Sequence, residues 1–186
     1  MVLRFLPDPG LLGGMDEARA ERLLEERTRR LAGRGTRREA AGAPVLVVAL
    51  GGELFGLPLD GVAAVLAAEP PCRLPGSPPE VLGLRARAGR IHAVLDLARL
   101  LGLPGGEGEH DVLLRPPPAG GRRLALRVGR ALSALAPRPL PGPASPAPAS
   151  PVAFRATLPG AGEPPVLGVI DLGRLLRPYA SPLPGA

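Results

Sequence analysis

The sequence predicts an all-β fold, two small β-barrel units behind a single amphipathic helix, and three observations carry that reading. From Val45 onward the apolar residues fall in short runs bounded by glycine and proline, as in strands joined by turns. The segment Val94-Leu-Asp-Leu-Ala-Arg-Leu-Leu101 returns 75 residues later as Val169-Ile-Asp-Leu-Gly-Arg-Leu-Leu176, with six identities in eight positions, so the β-rich part is a duplication. Hydrophobic residues make 45% of the 186, enough for a core, yet there is no Trp, one Tyr and three Phe, so Leu, Val and Ala must build it.

Residues 1–43 read as an extension containing one helix, Met15 to Ala32. Asp16 stands where a cap is needed, Glu17 and Glu21 lie early, Arg27, Arg29 and Arg30 lie late, and Gly33 stops the run, all in the sense of the helix dipole. Ala20, Leu23, Leu24, Arg27 and Leu31 share one face, a narrow stripe suited to packing on a domain or a partner helix. Gly33 to Pro44 is a polar linker.

The β-rich domain is expected over 44–179, as a first barrel at about 44–103 and a second at about 111–179, before a tail at 180–186. Val45 to Leu50 and Leu54 to Leu59 are strands around a Gly51-Gly52 hairpin turn. Asp60-Gly61 starts a turn, and Val62, Val65 and Leu66 continue the apolar pattern. Prolines 70, 71, 75, 78 and 79 enforce an extended loop around Cys72 and Leu74. Val81 to Leu84 and Ile91 to Leu95 are strands around an Arg-rich turn, Arg85 to Arg90. In the second copy, Gly120-Gly121 followed by Leu124, Leu126, Ala131 and Leu135 matches Gly51-Gly52 followed by Leu54, Leu57, Val62 and Val65. The extra residues of that copy fall in the Pro-rich loop 137–151, expected to be solvated and without core residues. Each repeated segment reads as a strand ending at Asp96 or Asp171, whose carboxylate caps the following helical turn. Leu97, Leu100 and Leu101, or Leu172, Leu175 and Leu176, pack that turn down.

Composition excludes much chemistry. The chain has no Lys, Asn or Gln, which removes Schiff-base lysines and the P-loop lysine. One Cys and two His cannot form a disulfide or a structural zinc site. No run reaches the roughly 18 apolar residues that span a bilayer, so a cytoplasmic protein is expected. With every basic residue an Arg, the charge of +6 reads as a solvated surface. His92 is expected on the strand face opposite Ile91, Ala93 and Leu95, as a solvated or rim histidine, His110 in an exposed turn, and Cys72 as a half-buried structural thiol. No catalytic, cofactor-binding or metal-binding residue is assigned.

The ordered set LVVALGGELFGLPLDGVAAVL (Leu46 to Leu66), RLPGSPPEVLGL (Arg73 to Leu84), GRIHAVLDLARLLGL (Gly89 to Leu103), RRLALRV (Arg122 to Val128) and VLGVIDLGRLL (Val166 to Leu176) resembles the CheW family of chemotaxis coupling proteins. The N-terminal helix resembles the leader that some members carry. The resemblance implies two five-stranded β-barrels flanking a shared core, and a scaffold that makes and breaks no bond. Its implied partners are the regulatory domain of a CheA-type histidine kinase and the cytoplasmic tip of a methyl-accepting chemotaxis receptor. It further implies a protein monomeric in isolation, array-forming with its partners, and recruited to membrane receptors without inserting. By position, the contacts would fall on Val62, Val65 and Leu66, on Gly83, Arg85, Arg87, Gly89 and Arg90, and on Val128. The chain is a diverged member: Ala64 stands at the usual Glu, Ala86 and Ala88 at the usual Asn and Arg of the hairpin, Ala93 at a Pro, and Gly129 where an Asp follows the second-barrel Val.

Two other readings stay open, a degenerate member without kinase coupling and a small Arg-rich barrel that binds nucleic acid. Against the latter stand the scarcity of aromatic platforms and the lack of any Asn or Gln to read bases. An electrophoretic shift assay with RNA and single-stranded DNA at low salt, where phosphate binding is strongest, is expected to show no complex.

Overall fold

The computed structural model describes residues 42–116, 121–141, 150–159 and 164–179. The expected helix 15–32, the middle of the Pro-rich loop and the tail lie outside them. The strands are β1 Val45–Leu50, β2 Glu53–Pro58, β3 Val62–Ala67, β4 Val81–Arg87, β5 Arg90–Asp96, β6 His110–Leu114, β7 Leu124–Val128, β8 Arg130–Leu135, β9 Arg138–Pro139, β10 Val152–Thr157 and β11 Val166–Ile170. Two short helices, α1 Leu97–Leu100 and α2 Leu172–Leu176, follow β5 and β11. The described chain is therefore mostly β, as the periodicity predicts.

The strands form two sheets, in the orders β8-β1-β2-β11-β10-β9 and β3-β6-β7-β5-β4. Neither sheet comes from one half of the sequence, which corrects the division into contiguous barrels at 44–103 and 111–179. The reason lies in the two parallel pairings. β11, which ends the second copy, pairs with β2 of the first, and β5, which ends the first copy, pairs with β7 of the second. β8 likewise pairs with β1, and β3 with β6. The duplication maps β1 to β6, β2 to β7, β3 to β8, β4 to β10 and β5 to β11. Each sheet takes its first two strands from one copy and the rest from the other.

Both faces of the inner strands are buried. In β1, Leu46, Val48 and Leu50 enter a core that also holds Phe55, Leu57, Leu95, Leu97, Val112, Leu126, Val128 and Ile170 from both sheets. The alternate residues Val45 and Val47 pack with Ala156, Leu167 and Val169, all of the same sheet. Residues of one sheet shelter one another in this way only if the sheet curls around them. Val94, Leu113 and Ala125 form the matching interior of the second sheet. Burying each such Val or Leu contributes about 1.5–3 kcal/mol, so the curl is well supported without aromatic residues.

The chain itself closes each curl. β8 runs through Ala136 and Pro137 into β9, so one continuous segment pairs with β1 at one edge and with β10 at the other. In the second sheet β3 runs through Pro70 and Pro71 to Cys72, which bridges to Leu84 of β4 with both backbone hydrogen bonds at 2.8 Å. The prolines sit at these bends, where no ladder donor is needed. The expectation of a solvated loop over 137–151 is corrected at its start, where Pro137 is buried and β9 begins.

Other expectations meet the structure directly. The Gly51-Gly52 turn connects β1 to β2 with positive φ at both residues. Asp96 Oδ1 accepts from the N–H groups of Ala98 and Arg99, and Asp171 Oδ1 from that of Arg174, so the repeated aspartates cap α1 and α2. The Arg-rich turn is shorter than expected. β4 and β5 pair as far as Arg87 and Arg90, leaving Ala88-Gly89 as a two-residue hairpin turn.

Two backbone positions make opposite demands. Gly83 has φ +142, and a Cβ there would lie 2.2 Å from the Cys72 carbonyl oxygen. Ala88 holds φ +48, which strains a residue with a Cβ. Gly83→Ala is expected to abolish folding, and Ala88→Gly to raise stability by about 1 kcal/mol, both read from urea denaturation curves.

Candidate partner-binding site

The nine positions proposed from the sequence separate into two sets. Val65 on β3 is 38% exposed, and Arg87, Gly89 and Arg90 are exposed at the end of the β4–β5 hairpin. Val62 and Val128 are 7% and 1% exposed and belong to the core between the sheets. Gly83 is buried under the Cys72 backbone. Leu66 is half-buried against the interior of the second barrel, beside Ala64. Val62, Gly83 and Val128 are thus packing positions, the two valines in the core between the sheets and the glycine under the Cys72 crossing.

Arg85 needs the largest correction. It lies within β4 and is only 8% exposed. Its Nη1 donates to Asp111 Oδ2 at 2.6 Å and to the Ala67 carbonyl at 2.9 Å, and its Nη2 lies 2.9 Å from Glu69 Oε1. Asp111, on β6, is fully buried. Its Oδ1 accepts from Arg127 Nε, and Arg127 Nη2 donates to the Glu69 carbonyl at 2.7 Å. Two arginines thus balance Asp111 and Glu69. They also donate to the carbonyls of Ala67, the last residue of β3, and of Glu69, just beyond it. The cluster acts chemically as a clasp.

The sequence reading missed Asp111 and Arg127. The available signal was a charge inside each strand-like apolar run, HDVLL and LALRV, where only a partnered ion survives burial. It also missed Ile91, which is 64% exposed at the hairpin end beside Arg90.

The histidines and the cysteine also differ from expectation. His92 is 7% exposed, because it points into the second barrel next to Arg85, its cross-strand partner. Burial, with the field of Arg123 next, holds its imidazole below the usual histidine range. His110 opens β6, and its Nδ1 accepts from the Ala131 N–H at 3.4 Å. Cys72 is exposed, since its contribution to the barrel is made by its backbone. Near the chain end, the Tyr179 hydroxyl donates to Glu80 Oε1 at 2.6 Å. Burial and that carboxylate push the phenol up to about 12, while the hydrogen bond lowers the Glu80 carboxyl. This contact ties the end of the second copy to the segment leading into β4.

The CheW-like domain family matches residues 44–177. Among solved structures, the chain is similar to the crystal structure of the scaffolding protein TtCheW from Thermoanaerobacter tengcongensis. The TM-score is 0.58 at 19% identity, over 73% of this chain and 88% of that one, a likeness of fold. A search of curated proteins gave no match.

The clasp generates a stability prediction. Arg85→Ala leaves Asp111 with one cation in a buried site and is expected to cost about 3–5 kcal/mol. Glu69→Ala removes a carboxylate that is 68% exposed and is expected to cost less than about 1 kcal/mol. Urea denaturation of both variants measures the contrast.

Proposed function

Because this chain belongs to the CheW-like domain family, a family of chemotaxis scaffolds rather than enzymes, we propose that it couples chemoreceptors to a CheA-type histidine kinase. One surface docks the regulatory domain of the kinase, and another takes the cytoplasmic tip of a methyl-accepting receptor. The work is a coupling of binding free energies: a receptor state that favours one docked arrangement biases the kinase by the difference in contact energy. The observation that carries this reading is the family match, which spans the whole β-rich part. Among the described residues no helix is long and apolar enough to cross a membrane, which supports a cytoplasmic scaffold recruited to membrane arrays by its partners. We place the docking surface on the exposed members of the assigned set, Val65 on β3 and the hairpin end with Arg87, Gly89 and Arg90. Modest interfaces of this kind gain effective affinity when many copies assemble.

A binding titration against the regulatory domain of the kinase from the same organism, at low and high salt, tests the reading. Saturable binding that tolerates salt is expected, and no binding at either salt rejects kinase coupling. Val65→Asp places a charge on an exposed apolar position. It is expected to weaken the complex at least tenfold, roughly 1.4 kcal/mol, while leaving the circular dichroism spectrum and the melting curve unchanged.

A further inference from the structure

The two barrels enclose different things. The interior of the first is apolar throughout, with Val45, Val47, Ala156, Leu167 and Val169. The second holds Val94, Leu113 and Ala125, and beside them the buried polar side chains of Arg85, His92 and Asp111. The Nδ1 of His92 has no hydrogen-bond partner among the described residues, and neither has Nε of Arg85, the residue directly across from it. A buried ring nitrogen left bare beside an arginine is costly to charge.

Charged groups meet the imidazole from each packed element. Arg85 faces it from β4, Arg90 stands two residues away on β5, and Arg123 precedes β7, where its carbonyl accepts from the Ala93 N–H at 2.9 Å. Asp111 of β6 is committed to Arg85 and Arg127, and Asp96 at the far end of β5 caps α1. Glu69, just beyond β3, is paired with Arg85, and the charged groups that act on the imidazole among the described residues are Arg123, Arg90 and Arg85.

We infer that His92 is a proton-operated latch of the second barrel: neutral, it lets β4 and β5 close over Arg85, and protonated, it joins Arg85, Arg90 and Arg123 as a further cation and drives the hairpin open. The direction follows from linkage. A ring held below the value of about 6.5 that it has in an unfolded chain binds fewer protons closed than open. Closure is therefore complete above about pH 6.5 and is lost as the pH falls through the folded-state value. Resting on the scaffold reading above, the latch makes docking at the hairpin acid-sensitive. Hydrogen exchange needs no partner, so it separates a failure of the latch from a failure of that reading.

The test follows the full chain between pH 7.5 and 5 by NMR, recording the His92 ring proton and amide exchange across residues 84–92, with exchange corrected for its intrinsic pH dependence. The ring is expected to titrate below 6.5, and the corrected exchange of the Arg85, Arg87 and Arg90 amides, which face across the β4–β5 ladder, to rise at least fivefold at the acid end. His92→Gln, neutral throughout, is expected to remove that rise. Arg123→Ala, which deletes one of the facing cations, is expected to move the ring titration upward and provides the test if the glutamine variant does not fold. A ring that titrates at or above 6.5, exchange that ignores pH, or a glutamine variant with the native pH dependence would each overturn the latch.

Discussion

A sheet whose two faces are both apolar must curl, and a curled sheet must do something with its two edges. That constraint governs this protein more than any single contact. Here one strand of each sheet overruns, bends at proline, and pairs with the far edge, so that the bends at Pro70-Pro71 and Pro137 replace a closing ladder. Where a strand bends, carbonyls at and beyond its end need donors from elsewhere. In the first sheet the Pro137 carbonyl accepts from the Gly42 N–H. In the second, Arg85 and Arg127 donate to the carbonyls of Ala67 and Glu69, Asp111 accepts from both guanidinium groups, and the Glu69 carboxylate supplies the second negative charge. The charge buried in one barrel is thus a result of how that barrel is closed.

The same closure explains the work of other residues. Cys72 matters through its backbone, which bridges to Leu84, and Gly83 leaves room for that crossing. The repeated aspartates cap short helices whose leucines seal the shared core, so the end of each copy is fixed in the same manner. With little aromatic area to bury, the fold relies on many small apolar contacts between the sheets. Among the described residues, exposed apolar side chains such as Val65 and Ile91 lie where no layer covers the strand or the hairpin end.

Much of this was legible. The repeat announced the duplication, strand lengths came close to their limits, and the role of Asp96 and Asp171 followed from an aspartate ahead of a leucine-rich turn. What stayed hidden was set by distance in sequence. Two copies of one strand pattern present the same pairing edges, and alternation alone cannot tell whether β5 pairs with a strand of its own copy or of the other. Position within a family pattern says nothing of burial in this chain, which is why Val62 and Val128 stood among the contact positions and are core. Arg85 misled for a related reason. It is paired with a buried carboxylate, and that carboxylate lies on another strand, in the other copy.

The exchange of strands between copies also bears on ancestry. A single unit with this pairing would own the first two strands of one sheet and the last three of the other, and so would complete neither. Two such chains, trading halves around a two-fold axis, would complete both. The present chain has the architecture of that swapped dimer with its two subunits joined end to end. Once joined, the copies were free to differ, so that one barrel encloses arginine, histidine and aspartate while its twin encloses valine, leucine and alanine.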